Sequence, residues 1–543
     1  MFCYQCEQTA RGTGCIDRGT CGKSDEVAAL QDLLLRQAMG VAIGAHRAPA
    51  GTDTETLDRF VEDALFTTVT NVNFDAARLE SLIAQGGAAI RTAAAGARAA
   101  GRGDELFGPA LEEDYADRPA MLAAAAAVGI EGRRQTQSAD VLGLQELLTY
   151  GIKGMAAYAH HARVLGQASA TVNAFMNEAL EALARPVTEM SALLALNLKC
   201  GEVALEAMAL LDGANTGAMG HPVPTPVLMG HVPGKAILVS GHDLGDLQAL
   251  LEQTAGLGIN IYTHGEMLPA HGYPQLKKHP HLVGHFGGAW QDQQRDFATF
   301  PGAILMTTNC LMPPREAYQG RLFTSGVVAA PTLGHASAKD FGAVIAAAQA
   351  APGFADASEP RHHTVGFAHN AVLGVADTVI EAVKSGALKR FVLIGGCDAG
   401  TKGRDYYSQL AAAVPQDWAV LTLGCGKFRV LGKVDGSIGA LPRLLDMGQC
   451  NDAYSAIKVA GALAEAFGVG VNELPLSLVL SWFEQKAVTV LLALLHLGIR
   501  NIRIGPSLPA FLTPAILEVL VDKFNIMPIG DVASDIKAMA SAA

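Results

Sequence analysis

The sequence is poor in charged residues, and the charge it carries is mostly negative. Charged residues make up 17% of the 543 residues and the formal net charge is −12, whereas a share of about 25% is usual in soluble proteins. Because lysine and arginine are not in excess, nucleic acid is not expected as a main partner. With 50% hydrophobic residues, the composition predicts a large, well-buried interior divided among a few domains.

Long hydrophobic runs are also missing. The longest, "AVTVLLALLHLGI", is too short to span a membrane and contains His496, so we expect a buried helix there and no membrane partner. The first residues lack the basic and apolar regions of a secretory signal peptide. This absence predicts a cytoplasmic location.

Cysteines are crowded at the start of the chain. Cysteines in a cytoplasmic protein stay reduced, which favours metal binding or catalysis over disulfides. Cys3, Cys6, Cys15 and Cys21 have the spacing C-x2-C-x8-C-x5-C, and the chain has nine cysteines in all. Four thiolates on so short a segment suit an iron–sulfur cubane. A structural zinc is the alternative, but its usual form has two C-x2-C pairs. Cys200 lies on a helical pattern without partners, and we interpret it as structural.

The two halves of the chain have different residue patterns. Up to about residue 212, apolar residues recur three and four apart, as in "DEVAALQDLLLRQAMGVAIGAH", which predicts helical bundles. The stretch "DGANTGAMGHPVPTPV" then interrupts this pattern with Gly and Pro, as a domain boundary would. The stretch "AAAGARAAGRGDE" is interpreted as an Ala-rich helix end followed by an exposed turn.

The second half predicts two α/β domains. Short β-branched runs alternate with helical stretches, which is typical of βαβ units and parallel sheets. These runs are "KAILVS", "GINIYT", "GAILMTT", "RFVLIGG", "WAVLTLG", "LSLVLSW" and "NIRIG". A second break at "AAPGFADASEPRHHTVG" divides this half. The predicted domains are therefore a helical bundle over 1–220 and two doubly wound, Rossmann-like parallel-sheet domains over 221–365 and 366–543.

Residues that can bind a metal follow most of the predicted strands. Sites in doubly wound sheets form just beyond the carboxyl ends of the strands. The residues in these positions are His242, Glu266, Cys310, Cys397, Cys425, Glu484 and Lys486, and Cys450 stands at a predicted helix start. Each alone has an ordinary explanation, since a buried thiol often acts as a small hydrophobe and a Glu can cap a helix. Their recurrence at equivalent positions predicts one shared metal centre.

The mixture of ligand types favours a multi-iron cluster. Thiolates suit zinc, copper(I) and iron–sulfur clusters, whereas carboxylates suit harder ions. One tetrahedral zinc takes only four ligands. A cluster with a sulfur-rich end and an oxygen- and nitrogen-rich end can keep one iron open to a small molecule, which would make the site catalytic.

Seven blocks of the chain resemble motifs of the hybrid cluster proteins, also called hydroxylamine reductases or prismane proteins. These blocks are, in order, "GHDL", "HGEMLPAHGYP", "TTNC", "GGCDAG", "LTLGCGKFR", "GQCNDAYSAIKVA" and "SWFEQKAV". The resemblance covers essentially the whole chain. It implies a fold similar to carbon monoxide dehydrogenase, with one helical and two α/β domains.

The resemblance also implies two cofactors. The implied ligands of a hybrid [4Fe-2O-2S] cluster are His242, Glu266, Cys310, Cys397, Cys425, Cys450 and Glu484. Cys397 matches the cysteine that carries a persulfide in the family, and Lys486 matches a lysine beside the cluster. The compact spacing of the N-terminal cysteines is similar to that of members with a [4Fe-4S] cluster rather than [2Fe-2S].

The implied activity is reduction of a small nitrogenous substrate. The family name implies that hydroxylamine, two electrons and two protons give ammonia and water, with His242, Glu266, Glu484 and Lys486 as candidate proton donors. Reduction of nitric oxide to nitrous oxide is the alternative at the same site. A redox sensor or a protein S-nitrosylation partner is a hypothesis of a different class. Carbon monoxide dehydrogenase activity is disfavoured, because that enzyme also needs nickel and its ligands differ.

The source of electrons is not visible in the sequence. No G-x-G-x-x-G fingerprint with a following acidic residue stands out, and such a fingerprint would mark a dinucleotide-binding domain. We therefore expect a separate reductase as the electron donor.

Overall fold

The computed structural model describes residues 1–49, 51–101, 115–185 and 187–541. Most of the turn predicted in "GRGDE" lies outside these described residues. No helix in the described ranges combines the length and the apolar character needed to cross a membrane.

The first part of the chain is helical, as predicted. Its helices are α1 (Asp25–His46), α2 (Glu55–Thr67), α3 (Ala76–Ala99), α4 (Arg118–Val128), α5 (Ile130–Arg133), α6 (Ala139–Val164), α7 (Ala170–Ala184) and α8 (Met190–Met219). Serine side chains cap three of the helices at their first turns, at Ser24, Ser138 and Ser169. The apolar faces meet in one core in which Leu30 and Leu148 are fully buried.

The break in the helical pattern that was predicted at "DGANTGAMGHPVPTPV" begins inside a helix. Helix α8 continues to Met219 rather than ending near residue 212, and it includes Gly213 and Gly217. A glycine inside a helix costs about 1 kcal/mol relative to alanine, but Ala214 and Met219 are buried and their packing offsets that cost. The chain leaves the helix at Gly220, whose positive φ of 80° favours glycine.

The remaining chain alternates strands and helices. The strands are β1 (Thr225–Leu228), β2 (Lys235–Ser240), β3 (Ile259–His264), β4 (Leu282–His285), β5 (Ala303–Met306), β6 (Leu322–Ser325), β7 (Gly334–Ala336), β8 (His362–Val365), β9 (Arg390–Gly396), β10 (Trp418–Thr422), β11 (Ser437–Ile438), β12 (Leu441–Pro442), β13 (Leu444–Asp446), β14 (Leu476–Ser481), β15 (Ile502–Gly505) and β16 (Met527–Pro528). All of the predicted strands are among them.

The helices of this part are α9 (Leu244–Thr254), α10 (Pro274–Lys277), α11 (Gln293–Thr299), α12 (Glu316–Gln319), α13 (Gly342–Ala350), α14 (His369–Leu373), α15 (Ala376–Lys384), α16 (Asp405–Ala413), α17 (Ala453–Phe467), α18 (Gln485–His496), α19 (Pro514–Phe524) and α20 (Val532–Ser541). Helix α18 holds most of the longest apolar run. Its Val488, Leu492 and Leu495 are buried in the core of the helical region, which confirms that prediction.

The strands form two large sheets. One has six parallel strands in the order β4-β3-β2-β5-β6-β7. The other has eight strands in the order β1-β8-β13-β10-β9-β14-β15-β16, parallel except for the β1–β8 pair. Because β1 and β8 join the second sheet, this sheet takes strands from both ends of the predicted middle domain. The domain boundaries themselves stay a prediction.

Each sheet has a point where the strand order reverses. In the first sheet, β2 lies between β3 and β5, and in the second, β9 lies between β10 and β14. The connections on the two sides of such a point run in opposite directions and leave a crevice at the carboxyl ends of the strands. A ligand site is therefore expected after β2 and β5 in one sheet and after β9 and β14 in the other.

Candidate metal centre

One small cavity collects side chains from both of these crevices. It is lined by His242, Glu266, Cys310, Cys397, Cys425, Cys450 and Glu484, together with Ser240, Gly241, Gly265, Trp290, Asn309 and Phe483. The structure thus brings all seven predicted ligand residues to one place, although they are spread over more than 240 positions of the chain.

The turn after β2 is built closely against the turn after β5. Gly241 has a positive φ of 104°, and a Cβ at this position would lie 2.4 Å from the Thr307 hydroxyl oxygen. Only glycine fits there, since both the backbone conformation and the space exclude a side chain. This close approach brings His242 and Cys310, which follow the two turns, to the same cavity.

A hydrogen bond on the side of the ring away from the cavity fixes the orientation of His242. Its Nδ1 lies 2.8 Å from the Thr308 hydroxyl oxygen, so its Nε2 faces the cavity, 3.3 Å from Cys450 Sγ and 3.8 Å from Glu266 Oε2. Burial and the nearby Lys486 ammonium hold the pKa of His242 well below its usual value. A neutral imidazole is the form that binds a metal.

Glu266 has one satisfied and one unsatisfied carboxylate oxygen. Its Oε2 accepts the backbone N–H of Cys450 at 2.7 Å, whereas its Oε1 is buried without a hydrogen-bond partner among the described residues. A buried acceptor left unpaired costs about 1–3 kcal/mol. A metal ion bound to Oε1 would remove this cost, which is the clearest sign that the cavity fits a metal.

Glu484 combines a helix cap with a position in the cavity. Its Oε2 accepts the backbone N–H of Lys486 at 2.9 Å and caps α18. Glu484 therefore has the helix-capping role that was the ordinary explanation for a Glu at this position. Its Oε1 lies 3.9 Å from the Lys486 ammonium nitrogen. Burial raises the pKa of Glu484, and a positive partner is needed to keep the carboxylate ionised.

The four thiols around the cavity are free, and two of them are buried. All of them are free cysteines, and Cys310 and Cys425 are buried while Cys397 and Cys450 are half-buried and line the cavity. Burial raises the pKa of Cys397 to about 12 and the pKa of the other three thiols well above the usual value. They would ionise on binding a metal, and thiolates suit iron–sulfur clusters.

Lys486 supplies the positive charge of this cavity. Its side chain is 1% exposed, and its Nζ lies 3.2 Å from His242 Nε2 and donates to Asn309 Oδ1 at 3.3 Å. Burial alone would lower the pKa of Lys486, but the Cys450 thiolate and the Glu484 carboxylate outweigh burial and raise it. The ammonium is therefore placed to balance the charge of anionic ligands.

Asn309, Trp290 and Phe483 are among the cavity residues that the sequence analysis missed. Asn309 Nδ2 lies 3.4 Å from Cys310 Sγ, and the rings of Trp290 and Phe483 lie 4.6 Å apart and pack with Cys310 and Cys425. Asn309 and Phe483 each adjoin a predicted ligand in the chain, which was an available signal. No sequence signal marked Trp290. Its indole N–H donates to the carbonyl of Asp398, and this contact between residues remote in sequence is visible only in the structure.

The four N-terminal cysteines form a second group. Cys3 and Cys15 lie opposite each other and exchange both backbone hydrogen bonds, at 3.0 and 2.8 Å. Among the described residues, only His242, Glu266 and Cys450 place three such ligand atoms within 4.8 Å of one another. In a tetrahedral zinc site with Zn–S of about 2.3 Å, the sulfurs lie about 3.8 Å apart. No three of the four N-terminal sulfurs lie within 4.8 Å of one another, which does not favour such a zinc site.

The two groups of cysteines are neighbours. Cys6 packs in the same apolar cluster as Cys310, Trp290 and Phe483. The backbone N–H of Glu7, the next residue, donates to the carbonyl of Phe483 at 2.9 Å.

The ninth cysteine, Cys200, lies elsewhere. It is fully buried on α8, and burial alone raises its pKa, which fits its interpretation as a structural residue.

Comparison with known proteins gives consistent matches over the whole chain. A family model described as "Prismane/CO dehydrogenase family" matches residues 1–537. A curated relative from Rhodospirillum rubrum named "Hydroxylamine reductase" is 61% identical over 551 aligned residues and covers 100% of both chains. A relative of the same name from Zymomonas mobilis is 53% identical over 98% of this chain and 98% of that protein. Another from Solidesulfovibrio magneticus is 54% identical over 99% of this chain and 100% of that protein.

Solved structures show the same fold. A nickel-free carbon monoxide dehydrogenase from Thermococcus sp. AM4 matches with a TM-score of 0.58 and 16% identity, over 99% of this chain and 90% of that chain. Carbon monoxide dehydrogenase IV from Carboxydothermus hydrogenoformans also matches at 0.58, with 14% identity over 99% and 92%. These matches confirm the predicted fold class, and at such low identity they bear on the fold alone.

Proposed function

Because the chain belongs to the prismane/CO dehydrogenase family, we propose that it is a hydroxylamine reductase. The reaction combines hydroxylamine with two electrons and two protons and gives ammonia and water. The observation that carries this proposal is the convergence of His242, two glutamates and four free thiols on one cavity. The full-length similarity to curated hydroxylamine reductases supports it.

Family membership makes the protein an iron–sulfur oxidoreductase, and we propose the identity of its clusters. A hybrid [4Fe-2O-2S] cluster would be held by His242, Glu266, Cys310, Cys397, Cys425, Cys450 and Glu484. A [4Fe-4S] cluster would be held by Cys3, Cys6, Cys15 and Cys21. The unpartnered Glu266 oxygen and the mixed set of soft and hard donors support the first assignment.

The residues of the cavity have separate roles in this proposal. When bound, the hybrid cluster would supply electrons and an open iron that polarises the N–O bond. His242 is held neutral by burial and oriented by Thr308. Lys486 balances the anionic ligands and lies within hydrogen-bond distance of His242, where an ammonium can also give up a proton.

A second candidate function is reduction of two nitric oxide molecules, with two electrons and two protons, to nitrous oxide and water. An apolar cavity of about 270 Å³ adjoins the cluster site, and its lining includes Cys397, Cys450 and Lys486 as well as the exposed residues Arg500 and Asn501. An apolar cavity admits small apolar molecules more readily than polar ones. This observation favours a gas as an additional substrate.

Anaerobic turnover with an artificial electron donor separates these candidates. The proposed activity predicts one molecule of ammonia for every two electrons consumed when hydroxylamine is the substrate. Nitrous oxide from nitric oxide, without ammonia from hydroxylamine, would support the second candidate and reject the first. Consumption of neither substrate by protein that contains both clusters would reject the two together.

We also propose a separate reductase as the physiological electron donor and a cytoplasmic location. The lack of a dinucleotide-binding fingerprint supports the first. Reconstitution with candidate reductases and fractionation of cells are the direct tests.

Cys15→Ser should remove the N-terminal cluster and leave the hybrid cluster in place. Cys15 is buried and pairs with Cys3 through the backbone, so serine keeps the loop but removes a thiolate. Iron analysis and electron paramagnetic resonance measure the two clusters separately. Cys200→Ala is the control and should keep both clusters, whereas zinc bound to the wild-type N-terminal cysteines would contradict the assignment.

Cys397 should carry one extra sulfur atom in protein prepared without oxygen. This residue lines both the small cavity and the apolar cavity, so there is space beside its Sγ, and a persulfide is a soft ligand. Intact mass should show the additional sulfur in the wild type and in Cys425→Ser, and should lose it in Cys397→Ser. A plain thiolate in every redox state would reject the persulfide.

A further inference from the structure

A polar cavity lies beside the N-terminal cysteines, apart from the cavity that holds the seven ligand residues. Its volume is about 210 Å³, and its lining includes Cys3, Lys23, Asp32, Arg133, Glu146 and Lys153. Lys23, Glu146 and Lys153 are only 4%, 3% and 6% exposed. Charged groups this deeply buried need compensating partners.

Lys153 is aimed at the loop that carries the cysteines. It lies on α6, and its ammonium donates to Gln5 Oε1 at 3.2 Å. Gln5 stands between Cys3 and Cys6 in the chain. The positive charge of Lys153 is thus held against the segment that presents two of the proposed cluster ligands.

Lys23 lies at the C-terminal end of the segment that carries the four cysteines. It follows Cys21 closely in sequence, and its ammonium hydrogen-bonds the buried Gln31 side chain. Lys23 lines the same cavity as Cys3 and Asp32. With the proposed cluster bound, the cysteine thiolates and the Asp32 carboxylate are its counter-charges.

The positive and negative side chains that line this cavity do not cancel in charge. Arg133 and Glu146 form an ion pair, which leaves the two lysines against the single carboxylate of Asp32. Burial and repulsion by Lys23 lower the pKa of Lys153 to about 8, and burial raises the pKa of Asp32 to about 6.

We propose that Lys153 and Lys23 raise the reduction potential of the N-terminal iron–sulfur cluster and that Asp32 lowers it. The inference rests on the proposed cluster at Cys3, Cys6, Cys15 and Cys21. Reduction adds one electron to the cluster, without breaking a bond, and so increases its negative charge. A fixed ammonium in a surrounding of low dielectric stabilises the reduced form, and a carboxylate destabilises it.

The test is a redox titration of the anaerobic full-length holoprotein, followed by electron paramagnetic resonance. Lys153→Met keeps most of the stem but removes the charge. We expect its equilibrium constant for one-electron reduction to fall at least tenfold, which corresponds to a potential lower by about 59 mV. Asp32→Asn should shift the potential in the opposite direction.

Two further variants separate charge from packing. Lys153→Arg keeps the charge and should stay near the wild-type potential. Lys199→Met removes an exposed lysine that pairs with Glu178 on the surface and should change nothing. If Lys153→Met fails to hold its cluster, Asp32→Asn decides, because an unchanged or lower potential in that variant overturns the proposal.

Iron analysis distinguishes a missing N-terminal cluster from a missing effect of the charged residues on its potential. Wild-type protein without iron at the N-terminal cysteines would overturn the proposed cluster and this inference with it. With the cluster present, equal potentials in wild type and Lys153→Met, or shifts of the same sign in Lys153→Met and Asp32→Asn, overturn this inference and leave the proposed function intact.

Discussion

Glu484→Gln should lower hydroxylamine turnover by about 100-fold or more, beyond the 10–100-fold that changes outside the ligand shell typically cost. Glutamine keeps an oxygen that can accept the Lys486 backbone N–H, so the cap of α18 is retained. What is lost is the negative charge of one proposed iron ligand. The fold should therefore survive while iron at the hybrid cluster falls.

A matched control exists on the surface. The side chain of Glu473 also caps a short helical turn, accepting the Gly470 N–H at 2.8 Å, but it is exposed. Glu473→Gln should leave iron content and turnover unchanged. Normal turnover in Glu484→Gln would show that capping is the only role of this carboxylate and would remove it from the ligand set.

Lys486→Met should impair assembly of the hybrid cluster and destabilise the protein. The ammonium is buried and contacts His242, Asn309 and Glu484, and its removal leaves the buried carboxylates uncompensated. Breaking one partner of a buried ion pair costs about 3–5 kcal/mol. Urea unfolding and iron analysis measure the two effects.

The same variant distinguishes charge balance from proton delivery. Normal assembly with slower turnover and a changed pH profile would assign Lys486 to proton delivery instead. Normal assembly with unchanged turnover would reject both roles. Lys458→Met, which removes an exposed lysine on the neighbouring α17, is the control and should match the wild type in every measurement.

The positions of the proposed ligand residues could be predicted because they depend on a simple rule of topology. The run "KAILVS" coincides with β2, and a residue that follows a parallel strand must lie at the carboxyl edge of the sheet. The same rule places Cys397 after β9 and Glu484 after β14. Ligand chemistry could then be inferred from residue type alone.

Other features depend on contacts that a sequence pattern does not contain. The edge strands β7 and β16 are short and partly exposed, so they lack a buried run of apolar residues. The extension of α8 through Gly213 and Gly217 depends on packing against distant residues. The contact between Trp290 and Phe483 joins loops far apart in sequence, and neither side chain is a metal ligand.

Anomalous diffraction at the iron edge, from crystals grown without oxygen, is the most direct test of the two proposed clusters. We expect one group of irons among Cys3, Cys6, Cys15 and Cys21, and a second group in the cavity between His242, Glu266, Glu484 and the four remaining ligand cysteines. Iron missing from that second cavity, or a single zinc in its place, would contradict the proposed site of hydroxylamine reduction.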